Sequence, residues 1–137
     1  MYTIENTIEI TAPASKILAA LTTQEGLRGW FAESATLDGK HATFTFARPE
    51  ITRTVSFAVD HCDARGIVMS CIAEHNNPEW RGTKLAMSVE GNRVRLVHSG
   101  YAAKDECYER CVQGWAYFMP SLKSYVETGR GTPFPVA

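Results

Sequence analysis

The sequence predicts an α+β domain in which one antiparallel sheet is covered by a long C-terminal helix. Three observations lead there. Residues 33–101 hold a series of short alternating stretches separated by tight turn signals, the mark of consecutive antiparallel strands. Residues 104–128 carry an apolar stripe at three- and four-residue spacing, the mark of an amphipathic helix. Before the strands, a first strand is followed by two short helical patterns.

Each element follows in order. "MYTIENTIEI" alternates through Tyr2, Ile4, Ile8 and Ile10 and predicts a strand over about residues 2–11. In "TAPASKILAALTTQEGLRGWF", Pro13 suits the opening of a helix, and Ala14, Ile17, Leu18 and Leu21 recur at helical spacing. "TTQEGL" marks a break and a second short helix, with Thr22 or Thr23 as N-cap and Gly26 loosening it. Trp30 and Phe31 end this region.

The strand series then runs through "HATFTFA", "TRTVSFAVD", "IVMSCIAE", "KLAMSVE" and "RVRLVHSGY", with "LDGK", "CDARG" and "EGN" as turns. About six strands with such short connections form a meander. In the last helix, Tyr108, Cys111, Val112, Trp115, Phe118, Met119, Leu122, Tyr125 and Val126 make the apolar stripe. Arg110, Gln113, Ser121, Ser124 and Glu127 mark a polar side. At about 1.5 Å per residue the helix exceeds ~30 Å, enough to cross a sheet. Pro120 removes one backbone bond and is expected to bend it. Gly114 is expected to let it approach the sheet closely, and Gly129 to stop it. The tail, 129–137, carries Phe134, which looks exposed, between two prolines; it packs along the domain, crosses a dimer contact or is disordered.

Composition narrows the function classes. The 137 residues are most simply one domain spanning 1–137, 45% hydrophobic with formal net charge −1. That balance argues against nucleic acid and anionic membrane as partners. Arg93 and Arg95 alternate on a strand and Arg28 stands by a turn, so the bases lie on solvated faces. No membrane span and no secretory leader is visible, so a cytoplasmic protein is the default. Cys62, Cys71, Cys107 and Cys111 read as thiols, mostly core residues. Cys107 and Cys111 share a helix face, but no zinc-like Cys/His spacing accompanies them, so no metal and no cofactor are expected.

The opening "IENTIEITAPASKILAALTTQEGLRGWF", the strand "GNRVRLVHSGY" and the closing "GWAYFMPSLKSYVETGRGTPF" together resemble the START-like, helix-grip proteins of the SRPBCC superfamily. More narrowly, the chain is similar to the family of activator-of-heat-shock-protein-90-ATPase homologues, over essentially its whole length. The resemblance implies a curved sheet gripping the long helix, often with an elongated apolar cavity between them. It also implies a choice of roles, since relatives include small-ligand carriers, cyclases and co-chaperone domains.

The first reading is binding of a small hydrophobic or amphipathic molecule between sheet and helix. Its walls would come from Trp30, Phe44, Phe46, Phe57, Trp115 and Phe118, with Met69, Met87, Met119 and Leu122. Such a set suits a pocket for a flexible apolar ligand and equally suits a filled core. His98, in phase with Val94 and Leu96, and Arg53, in phase with Val55 and Phe57, would orient the ligand. The plainer readings are a core histidine held by a partner and an arginine with its head in water. Glu74 and His75, with "HNNPEW", edge a cavity mouth or form a polar loop. The second reading is contact with a chaperone, another protein or a second copy of the chain. The third is a cyclase-, hydrolase- or dehydratase-type enzyme with His98 as acid or base. No catalytic signature such as G-x-S-x-G or H-E-x-x-H is present, so no catalytic residue is named.

Overall fold

The structure is a computed structural model. It describes residues 1–47, 52–75, 80 and 82–135, with the backbone alone at residues 47 and 73–75. The expectations for the turn at 76–79 and for the side chains of Glu74 and His75 lie outside the described residues.

The chain order is β1 (Tyr2–Glu9), α1 (Ala14–Thr22), α2 (Gln24–Trp30), β2 (Thr36–Leu37), β3 (His41–Ala47), β4 (Thr52–Asp63), β5 (Gly66–His75), β6 (Lys84–Glu90), β7 (Arg93–Tyr101) and α3 (Glu106–Thr128). All seven strands form one antiparallel sheet in the order β1-β7-β6-β5-β4-β3-β2. Six strands are therefore a meander, and β1 closes the far edge beside the last of them. Two register shifts in β4, at Ser56/Phe57 and Val59/His61, bend that strand.

Side-chain alternation assigns the two faces. Across β3 and β4 the hydroxyls of Thr43 and Ser56, and of Thr45 and Thr54, meet at 3.2 and 3.3 Å. The intervening Phe44, Val55 and Phe57 are buried on the opposite, concave face. On the outer side of the β1–β7 pair, Arg93 and Arg95 form exposed ion pairs with Glu9 and Glu5. The expected solvated face is thus charged in matched pairs, which are individually weak.

Local chemistry sets the helix ends. Thr23 is the N-cap of α2 and its hydroxyl accepts the Gly26 N–H at 3.0 Å. Gly26 does not loosen α2. A Cβ there would lie 2.5 Å from the Ala19 carbonyl oxygen, so its bare backbone lets α2 fold back against α1. Asp105 caps α3 by accepting the Tyr108 N–H, with Glu106 and Glu109 in the first turn. Gly129 ends α3 in the left-handed region, at φ 86°, and its N–H returns to the Tyr125 carbonyl. The helix continues through Pro120.

Helix α3 lies against β1, α1 and α2. Trp115, Met119, Leu122 and Val126 are buried, as the stripe predicts, but two other positions differ. Gly114 faces away from the sheet: a Cβ there would meet nothing within 4 Å. Ser121, expected on the polar side, is buried. Its hydroxyl donates to the Trp30 carbonyl at 2.8 Å and accepts the Thr132 N–H at 2.7 Å. It therefore ties α3 to α2 and to the tail, and its polarity is used for hydrogen bonding inside the protein.

The tail packs along the domain. Phe134 exchanges backbone hydrogen bonds with Phe31 and Glu33, forming a short parallel bridge to Ala32. Its ring meets Phe46 edge-on at 5.2 Å, so it is partly buried. Cys62 also departs from expectation. It is exposed on β4 near the β4–β5 turn, across from the buried Ile67.

Candidate binding site

The concave face and α3 meet through a continuous aromatic cluster. Phe31, at the end of α2, stacks on Trp115 with centroids 5.2 Å apart and touches Phe44, Phe46 and Phe118 edge-on. Phe44 continues to Phe57, and Phe57 to Trp80. Trp30, Met69, Met87, Met119 and Leu122 are buried in the same core. Of the wall residues named from the sequence, most therefore pack against one another, while Phe46 and Phe118 are only partly buried at the margin.

An open groove of about 500 Å³ borders that margin, between the flank of α3 and the tail. Phe118 and Tyr117 line one side, Pro133 and Phe134 the other, and Arg110 and Gln113 give it polar groups. Tyr117 is 56% exposed, an unusual position for a large aromatic.

Arg53 stands directly across from Phe46 in the β3–β4 register and shares its concave face. Its Nε is buried and has no hydrogen-bond partner among the described residues. A buried donor on a charged group forgoes roughly 1.5–3 kcal/mol relative to a paired one. Arg53 thus brings a guanidinium with one unsatisfied buried donor, Nε, to the strand position beside Phe46.

His98 occupies a different place. It is fully buried on β7 and hydrogen-bonded through both ring nitrogens. The indole N–H of Trp115 points at Nδ1 at 3.2 Å and can only donate, so Nδ1 is the unprotonated nitrogen. Nε2–H then donates to Thr83 Oγ1 at 3.0 Å, and the Thr83 hydroxyl donates on to the Trp80 carbonyl at 2.7 Å. The Tyr101 hydroxyl lies 2.9 Å from Nδ1. Burial pushes the His98 pKa down to about 3, so the ring is neutral at physiological pH.

The network extends from Tyr101 to the start of α3. Cys111 Sγ accepts the Trp80 indole N–H at 3.1 Å and hydrogen-bonds to Cys107 and Tyr101. Sequence reasoning missed Trp80, Thr83 and Tyr101 as partners of this cluster. The available signal was the sequence "HSGY", which brings Tyr101 back to His98 through Gly100 at φ 90°. Nothing local announces Trp80 or Thr83, which precede β6 and arrive by sheet pairing. No group of three or more metal-ligating side chains occurs among the described residues. None of the helices is long and apolar enough to cross a membrane among those residues.

A meandering antiparallel sheet, with two short helices after its first strand and a long C-terminal helix across its concave face, defines a helix-grip α+β protein. Solved structures share this architecture closely. The chain is similar to the Aha1 protein of Colwellia psychrerythraea, solved in solution as a dimer, with 27% identity and TM-score 0.78 over 96% of this chain and 100% of that one. It is similar in fold to the AHSA1 protein of Silicibacter pomeroyi, with 19% identity and TM-score 0.76 over 91% and 97%. An AHSA1-like protein from Aeromonas hydrophila aligns at 13% identity and TM-score 0.67 over 93% and 94%. No family model matches the chain, and no curated protein matches it in sequence. The chain thus shares the fold of solved Aha1 and AHSA1-like proteins over nearly its whole length.

Proposed function

We propose that this chain is a helix-grip binding domain whose ligand is a small amphipathic acid, held where the aromatic end of the sheet meets α3. The observation that carries the reading is Arg53, whose buried Nε lacks an acceptor beside Phe46. A carboxylate is the acceptor a guanidinium fork matches best, through two parallel hydrogen bonds. The apolar body of the ligand would run from Phe46, across its ring contact with Phe134, to the groove that Phe118 and Phe134 line. The groove falls within the usual size range for small-molecule sites. Trp30, Phe44, Phe57, Met69, Met87, Trp115, Met119 and Leu122 would act as the wall behind this contact layer, with methionines free to adjust. Covering ~200 Å² of apolar surface at about 25 cal/mol per Å² contributes roughly 5 kcal/mol before the cost of association. His98, neutral and satisfied, would hold the wall rigid. None of the four cysteines is in a disulfide, which fits a reducing, cytoplasmic setting.

A thermal-shift series with fatty acids and the alcohols of equal chain length tests this reading. The acids should raise Tm well above the alcohols, and Arg53→Met should erase the difference. Equal shifts for acid and alcohol in the unaltered protein would refute the acid-binding role.

A second reading is contact with protein, either a second copy or a chaperone. The dimeric Colwellia psychrerythraea structure and the exposed Tyr117 beside the apolar groove support it. Light scattering decides the self-association arm. A dimer that becomes a monomer in Tyr117→Glu favours it, and a monomer at high concentration excludes it.

A further inference from the structure

We propose that Cys111 is a peroxide-reactive thiol and that Cys107, one helical turn before it, is its resolving partner. This stands apart from the ligand-binding reading and rests on the packing of the first turns of α3 against β7 and Trp80.

Three groups converge on Cys111 Sγ. The Trp80 indole donates to it at 3.1 Å, and the side chains of Cys107 and Tyr101 both hydrogen-bond to it. An indole N–H has no other mode than donation, so sulfur is the acceptor, and a thiolate accepts far better than a thiol. The charged group nearby is Arg110, on the same helix, and it too favours the anion. Among the described residues, Tyr108 on α3 and His98 on β7 are further titratable neighbours, reached through Tyr101. The hydrogen bond from Cys107 leads these effects, burial opposes them, and the balance lowers the Cys111 pKa to about 7. Burial holds Tyr101 protonated, and its single O–H is shared between His98 Nδ1 at 2.9 Å and Cys111, so the Trp80 indole is the donor committed to the sulfur. Cys111 is also only partly buried, whereas Cys71 and Cys107 are enclosed.

The chemistry balances with a hydroperoxide as oxidant. The Cys111 thiolate attacks one peroxide oxygen; an S–O bond forms, the O–O bond breaks, and the departing oxygen takes a proton to leave as water or alcohol. Sulfur gives up two electrons and the peroxide accepts them, leaving a sulfenic acid. The Cys107 sulfur then attacks the sulfenyl sulfur. An S–S bond forms, the S–O bond breaks, and hydroxide leaves with the Cys107 proton as water. Residues at i and i+4 of a helix hold their Cβ atoms about 5–6 Å apart, while a disulfide wants about 3.8 Å. Closing the bond therefore opens the first turn of α3, where Cys107 is only the second residue. The oxidised form should lose the Asp105 cap and free Trp80 and Tyr101 from Cys111.

The test uses the full chain with Cys62→Ser, which removes the exposed thiol, treated with one equivalent of hydrogen peroxide. Intact mass and peptide mapping should show loss of two hydrogens and a Cys107–Cys111 link. Adding Cys107→Ser should instead leave one oxygen on Cys111, trapped by a sulfenate-specific nucleophile. As a second measurement, the alkylation rate of Cys111 in the Cys62→Ser protein is followed against pH. A midpoint near 7 supports the proposal, and a midpoint near that of an ordinary thiol overturns it. Oxidation appearing first at Cys71, or no oxidation at Cys111 under these conditions, also overturns it.

Discussion

The indole N–H of Trp115 on α3 donates to Nδ1 of His98 on β7 at 3.2 Å, joining the long helix to the sheet through a buried polar contact. It fixes the histidine tautomer and sends the remaining proton to Thr83 and thence to the Trp80 carbonyl. The helix is therefore placed against the sheet by a directional bond as well as by apolar burial.

Acid should weaken the fold through this histidine. Its pKa falls from 6.5 to about 3 on burial, so between those values the unfolded chain binds a proton that the folded chain refuses. Stability is complete above pH 6.5 and is lost progressively as pH falls toward 3. The loss should approach roughly 1 kcal/mol per pH unit near pH 5. Urea unfolding at several pH values measures it. His98→Gln should flatten the curve between pH 5 and 6.5, a window in which ordinary carboxylates are still ionised.

Trp115→Phe keeps a large ring beside Phe31 but removes the donor to His98. The expected cost is about 1–3 kcal/mol, combining a lost hydrogen bond with reduced packing. Denaturant midpoints give the cost. Nδ1 would then depend on Tyr101 alone, and the imidazole nitrogen chemical shifts should move while the ring stays neutral.

Ser121→Ala removes the hydroxyl that serves both Trp30 and Thr132. Global stability should fall by about 1–2 kcal/mol. Hydrogen exchange should show faster exchange at Thr132 and at the Phe134 bridge, with β5 and β6 unchanged. Protection that stays the same at the tail would mean the Phe134 backbone pairing holds it alone.

Gly26→Ala places a methyl 2.5 Å from the Ala19 carbonyl oxygen and 2.6 Å from the Ala20 Cα, both backbone atoms. Helix α2 has to move, and a loss of about 1–3 kcal/mol is expected despite the better helix propensity of alanine. Gly114→Ala, with open space around it, should be neutral or stabilising. Thermal unfolding of the two variants side by side checks the contrast.

That contrast also shows how far sequence reasoning reaches. Alternation and helical spacing located the long strands, narrowed the α2 cap to Thr22 or Thr23, and gave the stop at Gly129 and the inward phase of His98, because each rests on local backbone geometry; the two-residue β2 was missed. Spacing says which residues share a face but not which neighbour covers it. Gly114 and Ser121 both sit on the flank of α3, yet one faces the groove and the other is covered by α2 and the tail. Phe134 looked free because its partners, Phe31 and Phe46, lie some ninety residues earlier. The candidate site was legible only in part for the same reason. Arg53 could be placed on the concave face from its phase, whereas its unsatisfied Nε, and the convergence of Trp80, Tyr101 and Cys111, depend on contacts between distant elements.

The proposed acid-binding role of Arg53 is tested most directly by native mass spectrometry of freshly purified protein, followed by solvent extraction and identification of what is released. The proposal predicts a stoichiometric amphipathic acid on the unaltered chain and its loss from folded Arg53→Met. A clean unliganded mass, with no acid from a broad panel retained, would contradict it.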